Sequence, residues 1–161
     1  MSKKFSLIIF TDLDGSLLHR DTFKFDKIKD YIKSLIDEGI IIIPNTSKTE
    51  KEIEAFINEL GSNLPFISEN GSSIHGLNLI NNNFPNKIVL SRDKQELIKI
   101  FNSKVPENLK AKCKFISEMN SKQQNNIFGL KDNNLKNALS RKYTVPFIFE
   151  GKKIEKNKLL K

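Results

Sequence analysis

Two acidic residues, Asp12 and Asp14, directly follow an apolar run at residues 5–10. The run predicts a buried strand of a parallel sheet, because strands covered on both faces are apolar without alternation. Side chains at positions i and i+2 of an extended segment point to the same side, with Cα atoms about 7 Å apart. Gly15 then permits a tight turn and a close approach of the backbone to an anion. The segment therefore predicts two carboxylates presented together at the end of a strand.

This pair of carboxylates is what an aspartyl phosphatase requires. One carboxylate attacks phosphorus, a second transfers the proton of the leaving group, and backbone N–H groups hold the phosphoryl oxygens. Two other interpretations of the Asp-x-Asp-Gly pattern are a simple capped turn and a calcium-binding loop. A calcium loop needs further oxygen ligands at Ser16 and Leu18, and a leucine cannot supply one. We therefore favour the phosphatase interpretation, with the capped turn as the structural alternative.

Residues 5–68 alternate between strand and helix patterns, which predicts a parallel sheet with right-handed crossovers. The predicted elements are a strand at 5–10, a helix whose apolar stripe runs from Ile28 to Ile36, a strand at 40–43, a helix between Thr49 and Gly61, and a strand at 65–68. Thr49 and Glu52 form the capping-box pattern at the start of the second helix. Asn70 and Gly71 predict a tight hairpin turn after the last strand.

The pattern changes after about residue 84. Residues 109–115 alternate between apolar residues and lysines, which is typical of a half-exposed antiparallel strand. We therefore predict an α/β fold with a parallel sheet in residues 1–84, which carry the acidic motif. Residues 85–161 are predicted to form a separate α+β domain, and residues 151–161 to be a charged tail.

Composition argues against nucleic-acid and membrane partners. The formal net charge is +8, yet arginine supplies only three of the 27 basic residues, and base and phosphate recognition favours the arginine fork. No stretch approaches the ~20 apolar residues of a membrane span, and the N-terminus lacks the apolar length of a signal peptide. The single cysteine, Cys113, excludes an internal disulfide and fits a reducing compartment. We therefore expect a cytoplasmic protein.

Thr46, Ser47 and Lys48 follow the second predicted strand and precede the second helix. Ligands of open parallel sheets bind beyond the carboxyl ends of the strands, so these residues are expected beside the acidic pair. Hydroxyls, an ammonium group and free helix N–H groups together form a phosphate site. The alternative is an ordinary helix cap with a surface lysine. We interpret His19 and His75 as surface or hydrogen-bonded loop residues.

These motifs resemble those of the haloacid dehalogenase superfamily and, more narrowly, of the mannosyl-3-phosphoglycerate phosphatase family. The segments that carry the resemblance are Phe10–Leu18, Asn45–Ile53, Pro65–Gly71, Gly129–Leu130 and Arg141–Phe147. The Thr-Ser-Lys-Thr-x-x-Glu and Glu-Asn-Gly patterns distinguish this family from sugar phosphatases with Thr-Gly-Arg at the second motif. The resemblance identifies residues 85–161 as a cap-like domain.

The resemblance implies a phosphatase that hydrolyses a phosphate monoester of a glycosylated glycerate, in a pathway that makes a compatible solute. Asp12 would be the nucleophile and Asp14 the general acid and base, and the Asp12 carboxylate and the Asp14 backbone carbonyl would hold Mg²⁺. The substrate-binding residues that it implies are Gly15, Thr46, Ser47, Lys48 and Arg141. The alternatives are a phosphatase for another sugar phosphate and an inactive remnant that binds phospho-sugars or a partner.

Members of this superfamily also carry a lysine motif and a second acidic motif after the cap, and the second half of this chain matches neither. The chain is therefore expected to be truncated within or just after the cap domain and to have little activity alone. A strand edge and an apolar face would be left uncovered. The explanations are a second chain that supplies the missing half of the core, an inactive fragment, and a binding or interaction module.

Overall fold

The computed structural model describes residues 7–20 and 22–159, so residues 5 and 6 of the first predicted strand lie outside the described residues. The described chain forms two compact units, one up to Ser91 and the other from Arg92. The division falls after Ser91 rather than at residue 84, because a strand at Lys87–Val89 pairs with the strand Ser73–His75 of the first unit.

The first unit combines a parallel strand pair with an antiparallel sheet. Its elements are β1 (Ile8–Thr11), α1 (Asp26–Asp37), β2 (Ile41–Pro44), α2 (Glu50–Leu60), β3 (Phe66–Ser68), β4 (Ser73–His75) and β5 (Lys87–Val89). β1 and β2 pair in parallel, and β3, β4 and β5 are antiparallel neighbours. A parallel bridge between Asn45 and Ile67 joins the end of β2 to β3. The predicted strand–helix alternation is thus confirmed, and it leads into the predicted hairpin at β3 and β4.

Local sequence signals fix the ends of α2. Thr49 Oγ1 accepts a hydrogen bond from the Glu52 N–H at 3.3 Å, and a Glu52 carboxylate oxygen accepts one from the Thr49 N–H at 2.9 Å. Gly61 ends the helix at φ +77°, and its N–H donates to the Ile57 carbonyl. The buried face of α2 joins an apolar cluster with α1, β2 and β3, whose fully buried members include Leu13, Ile53 and Leu60. The capping box and the glycine stop are therefore confirmed.

β1 is less covered than its sequence predicts. Ile8 and Phe10, which share one face of the strand, are 46% and 61% exposed, whereas all four residues of β2 are buried. An apolar strand is buried only when a layer packs on each of its faces, and the exposure of Ile8 and Phe10 shows that the described residues leave this face of β1 uncovered. The prediction of a buried first strand is wrong for this face, and the expectation of an uncovered apolar face is confirmed.

The second unit contains five helices and two strands in its described part. They are α3 (Lys94–Lys104), α4 (Glu107–Lys110), β6 (Cys113–Phe115), α5 (Ser121–Phe128), α6 (Asp132–Leu139), β7 (Phe147–Phe149) and α7 (Lys153–Leu159). β6 and β7 pair antiparallel, and the rings of Phe101, Phe115 and Phe147 pack together. α4 takes the place of the first half of the predicted strand at 109–115, and α7 forms where a charged tail was predicted.

Cys113 lies on β6, where its Sγ is 3.4 Å from the Leu109 carbonyl oxygen. Burial raises the pKa of the Cys113 thiol, which favours the unreactive protonated form. Among the residues that the structure describes, no helix is both long enough and apolar enough to cross a membrane.

Candidate functional site

The candidate site begins with Asp12 and Asp14, on either side of a buried leucine at the end of β1. Leu13 is fully buried in the apolar cluster, whereas both aspartates are exposed. This alternation turns the two carboxylates away from the core together. Asp12 Oδ1 accepts a hydrogen bond from the Leu13 N–H at 2.7 Å, which orients that carboxylate. Burial of Leu13 therefore places the carboxylates of Asp12 and Asp14 together at the surface, as the sequence predicts.

Gly15 closes the turn that follows the acidic pair. Its φ is +77°, a conformation that strains residues with a side chain. The Gly15 N–H donates to the Leu18 carbonyl at 2.9 Å, and the Leu18 N–H donates to the Leu13 carbonyl at 2.8 Å. The Gly15 N–H is therefore engaged in the turn. A phosphate beside Gly15 would meet a backbone without a side chain, but it would not receive a hydrogen bond from this N–H.

The second part of the site follows β2. The Asn45 N–H donates to the Thr11 carbonyl at 2.8 Å, so the ends of β1 and β2 lie side by side. Thr46 is buried next to Asn45, and its Oγ1 accepts a hydrogen bond from the Lys48 N–H at 3.3 Å. A hydroxyl that accepts one hydrogen bond still has its proton to donate. Ser47 is exposed in the same segment, two residues before Thr49, the N-cap of α2.

Lys48, which follows β2, forms an ion pair with Asp14, which follows β1. Its Nζ lies 3.0 Å from Asp14 Oδ1 and 3.5 Å from Glu52 Oε1, and 5.0 Å from the ring centroid of Phe23. The Lys48 side chain is only 12% exposed, so solvent screens these contacts less than it would on an open surface. Sequence reasoning placed Lys48 near a phosphate, and the structure adds that its ammonium group contacts Asp14.

Sequence reasoning recognised Glu52 as a capping residue and as part of the Thr-Ser-Lys-Thr-x-x-Glu pattern, but it did not predict a contact with Lys48. In the structure its carboxylate both accepts from the Thr49 N–H and faces the Lys48 ammonium. Glu52 is therefore a second acidic partner of Lys48, beside Asp14, and connects Lys48 to α2. The spacing of Glu52 four residues after Lys48, across the N-cap of α2, was the sequence signal for this contact.

We expect replacement of Glu52 by Ala to lower the free energy of unfolding by about 1–2 kcal/mol, because the capping box and the contact with Lys48 are both lost. The Glu52→Gln variant keeps an oxygen that accepts from the Thr49 N–H, so it is expected to lose less. Urea denaturation followed by circular dichroism measures both values. Equal losses for the two variants would contradict the role of the cap.

A second polar cluster, which sequence reasoning did not find, ties the start of α2 to the hairpin. His75 is buried on β4 rather than in a loop, and its ring stacks on Phe66 at 4.4 Å. Its Nε2 lies 2.9 Å from Ser73 Oγ, and its Nδ1 lies 3.4 Å from Glu50 Oε1. Lys87 on β5 approaches the other Glu50 oxygen at 3.0 Å. Because Ser73 is fully buried, we interpret this cluster as a structural support of α2.

Arg141 lies in the second unit, in the segment after α6. Its Nη1 donates a hydrogen bond to Thr144 Oγ1 at 2.9 Å. This contact orders the loop between α6 and β7. A role of Arg141 in substrate binding stays a prediction.

Asp12 and Asp14 also define the candidate metal centre. Among residues 7–20 and 22–159, no three His, Cys, Asp or Glu side chains are grouped as a metal site. Mg²⁺ commonly takes one or two protein carboxylates and completes its coordination with phosphate oxygens and waters. The exposed carboxylate of Asp12, with the backbone carbonyl of Asp14, fits that kind of site, in which substrate supplies part of the coordination.

Comparison with known proteins was made by sequence and by structure. A family profile described as haloacid dehalogenase-like hydrolase matches residues 9–159. The chain is 34% identical over 156 residues to a glucosyl-3-phosphoglycerate/mannosyl-3-phosphoglycerate phosphatase of Persephonella marina, covering 91% of this chain and 56% of that protein. It is 46% identical over 67 residues to a protein of the same name from Methanococcoides burtonii, covering 42% of this chain and 25% of that protein.

Among solved structures, the fold is similar to a phosphatase of the haloalkanoate enzyme superfamily from Bacteroides thetaiotaomicron. The TM-score is 0.58 at 16% identity, with 97% of this chain and 59% of that chain covered. This similarity concerns the fold alone. The chain spans about half the length of the Persephonella marina protein.

Proposed function

Because the chain belongs to the haloacid dehalogenase-like hydrolase family, we propose that it hydrolyses phosphate monoesters through a phosphorylated Asp12. The observation that carries the proposal is the pair of exposed carboxylates around buried Leu13, next to Thr46 and Lys48. A nucleophile, a proton donor and a cation are the groups that this reaction needs. A plain capped turn does not require a buried residue between two exposed acids or a lysine held against one of them.

In the first step, an oxygen of Asp12 attacks phosphorus, so an oxygen–phosphorus bond forms and the bond to the ester oxygen breaks. Because Asp12 Oδ1 accepts from the Leu13 N–H, its second carboxylate oxygen is the one offered for attack. Asp14 transfers its proton to the departing oxygen. Asp14 then takes a proton from the water that hydrolyses the acyl phosphate, which returns both carboxylates to their starting state.

The phosphoryl group brings further negative charge beside two carboxylates, and this charge has to be balanced. Lys48 supplies one positive charge at the Asp14 side of the site. Thr46 offers a hydroxyl proton to a phosphoryl oxygen, and the first turn of α2 contributes N–H groups and a favourable dipole. Mg²⁺ held by Asp12 and Asp14 would supply the remaining positive charge when bound.

The proposed substrate is a glycosylated glycerate carrying a phosphate monoester. The Persephonella marina and Methanococcoides burtonii relatives are named for glucosyl- and mannosyl-3-phosphoglycerate. The Thr46–Glu52 segment and the Glu69–Gly71 turn, on which the family resemblance depends, lie together, because the Glu69 N–H donates to the Lys48 carbonyl at 2.9 Å. Another sugar phosphate is the alternative substrate, and a phospho-sugar-binding module is the alternative without catalysis.

Phosphate release tests the proposal. We expect the purified chain with Mg²⁺ to release phosphate slowly, because its second half matches neither the lysine motif nor the second acidic motif, and to do so faster from mannosyl-3-phosphoglycerate and glucosyl-3-phosphoglycerate than from glucose 6-phosphate. Chelation by EDTA is expected to reduce release to the rate of the blank, and excess Mg²⁺ to restore it. Absence of release from a folded chain would overturn the proposal, and saturable binding of the same phospho-sugars would then support the binding module.

A further inference from the structure

A cleft of about 990 Å³ lies next to Asp14 in the first unit. Its wall consists of the turn after Asp14, the loop that leads to α1 and the first residues of α1. Ligand pockets for small molecules commonly measure about 300–1,000 Å³. The cleft is therefore large enough for a leaving group of the size of a glycosylated organic acid.

The chemistry of the proposed function, on which this inference rests, directs the leaving group toward the cleft. Phosphoryl transfer places the attacking and leaving oxygens roughly in line on opposite sides of phosphorus. If Asp12 attacks, the ester oxygen departs away from Asp12 and receives its proton from Asp14. Since Asp14 lines the cleft and Asp12 does not, the departing group extends into the cleft.

Basic side chains surround this cleft. Its apolar floor includes Leu18 and Phe25, which are buried, and its exposed basic residues are His19, Arg20, Lys24 and Lys27. The acidic residues of the described wall are Asp14 and Asp26, and Asp21 lies outside the described residues. Arg20, Lys24 and Lys27 form no ion pair with an acid in the part of the chain that the structure describes. No acid in the described part of the chain therefore competes with a ligand for these three side chains.

Backbone contacts fix the loop that carries the basic residues, and Phe23 in this loop lies beside Lys48. The His19 N–H donates to the Lys24 carbonyl at 2.9 Å, and the Phe23 N–H donates to the His19 carbonyl at 2.8 Å. Phe23 adopts φ +56°, and its ring lies 5.0 Å from the Lys48 ammonium. Because Lys48 also contacts Asp14, the loop is connected through Phe23 and Lys48 to Asp14, the proposed general acid.

We propose that the basic loop at Arg20 and Lys24 binds a carboxylate on the leaving group, so that the chain selects phosphate monoesters with a second negative charge. The arginine fork suits the two oxygens of a carboxylate, and Lys24 adds a further charge. This assigns carboxylate recognition to the first unit, in addition to the substrate-binding role that the family resemblance implies for Arg141. The loop then determines specificity, and Asp12 and Asp14 perform the chemistry.

Binding of two small probes tests the proposal without requiring turnover. 3-Phosphoglycerate and glycerol 3-phosphate carry the same phosphate ester, and only the first has a carboxylate. Titration calorimetry with Mg²⁺ at low ionic strength is expected to show about tenfold tighter binding of 3-phosphoglycerate, the effect of one charge-assisted contact. In the Arg20→Gln/Lys24→Gln double variant the ratio is expected to fall to about one, with little change for glycerol 3-phosphate.

The matched control is the Lys29→Gln/Lys33→Gln double variant, which removes the same two charges from α1 without altering the wall of the cleft. Its affinity ratio is expected to equal that of the wild type. Equal affinities of the two probes for the wild-type chain, or loss of the ratio in the control, would overturn the proposed subsite while leaving the phosphate site intact. Absence of binding of either probe would overturn the phosphate site and the subsite with it.

Discussion

Replacing Asp12 by Asn is expected to lower Mg²⁺-dependent phosphate release by about 10³-fold or more, because an amide is a far weaker nucleophile than a carboxylate. The change preserves shape and keeps an oxygen that can accept from the Leu13 N–H, a contact that Asp12 makes at 2.7 Å. The expected loss is therefore one of chemistry rather than of folding. Initial rates of phosphate release under saturating substrate measure it, and circular dichroism checks the fold.

The matched control for this variant is Asp30→Asn, which removes the same charge from an exposed position of α1. Its rate is expected to stay within about twofold of the wild type, since surface substitutions away from a site have small effects. Full activity of Asp12→Asn would rule out the aspartyl-phosphate mechanism and would leave the acidic pair with a structural role. Equal losses in both variants would point to a general effect of charge.

Leu13→Ala is expected to lower the free energy of unfolding by about 3–5 kcal/mol, the range for a leucine truncated inside a packed core. Leu13 is fully buried in the apolar cluster. Its truncation leaves a cavity at the point where the chain turns both carboxylates outward. Phosphate release is therefore expected to fall together with stability. Urea denaturation of the purified variant measures the stability, and phosphate assays in the absence of urea measure the rate.

Leu7→Ala provides the comparison for Leu13→Ala, since it removes the same atoms a few residues earlier in the chain. Leu7 is 50% exposed, so its truncation is expected to cost less than about 1 kcal/mol. If both variants lost the same free energy of unfolding, the contrast between a buried Leu13 and an exposed Leu7 would be wrong. If Leu13→Ala kept its stability, the leucine could not be what orients the acidic pair.

Much of the first unit was predictable because its signals are local. The start of α2 depends on Thr49 and Glu52, and its end depends on Gly61, so each boundary needed only a few neighbouring residues. The presentation of Asp12 and Asp14 followed in the same way from a two-residue period. These features depend on residues that are close together in the sequence, so a short sequence pattern contains the physical cause of each one.

The features that sequence reasoning missed depend on residues that are distant in the chain. The exposure of Phe10 depends on which layers pack against β1, and nothing within the strand records that. The contact between Lys48 and Asp14 requires the parallel pairing of β1 with β2. The position of His75 against Glu50 likewise requires the hairpin to pack beside α2. Long-range packing decided each of these outcomes.

The open face of β1 gives the site a dynamic property. With β2 as its only strand partner among the described residues, and with the outer side chains Ile8 and Phe10 in solvent, β1 has few contacts to lose on local opening. Opening separates Asp12 from Thr46, and under the proposed function a phosphate contacts both residues and therefore binds only the closed form. By mass action, the bound ligand shifts the opening equilibrium toward the closed form. Substrate occupancy and the slowing of amide hydrogen exchange in β1 are therefore two readouts of one equilibrium.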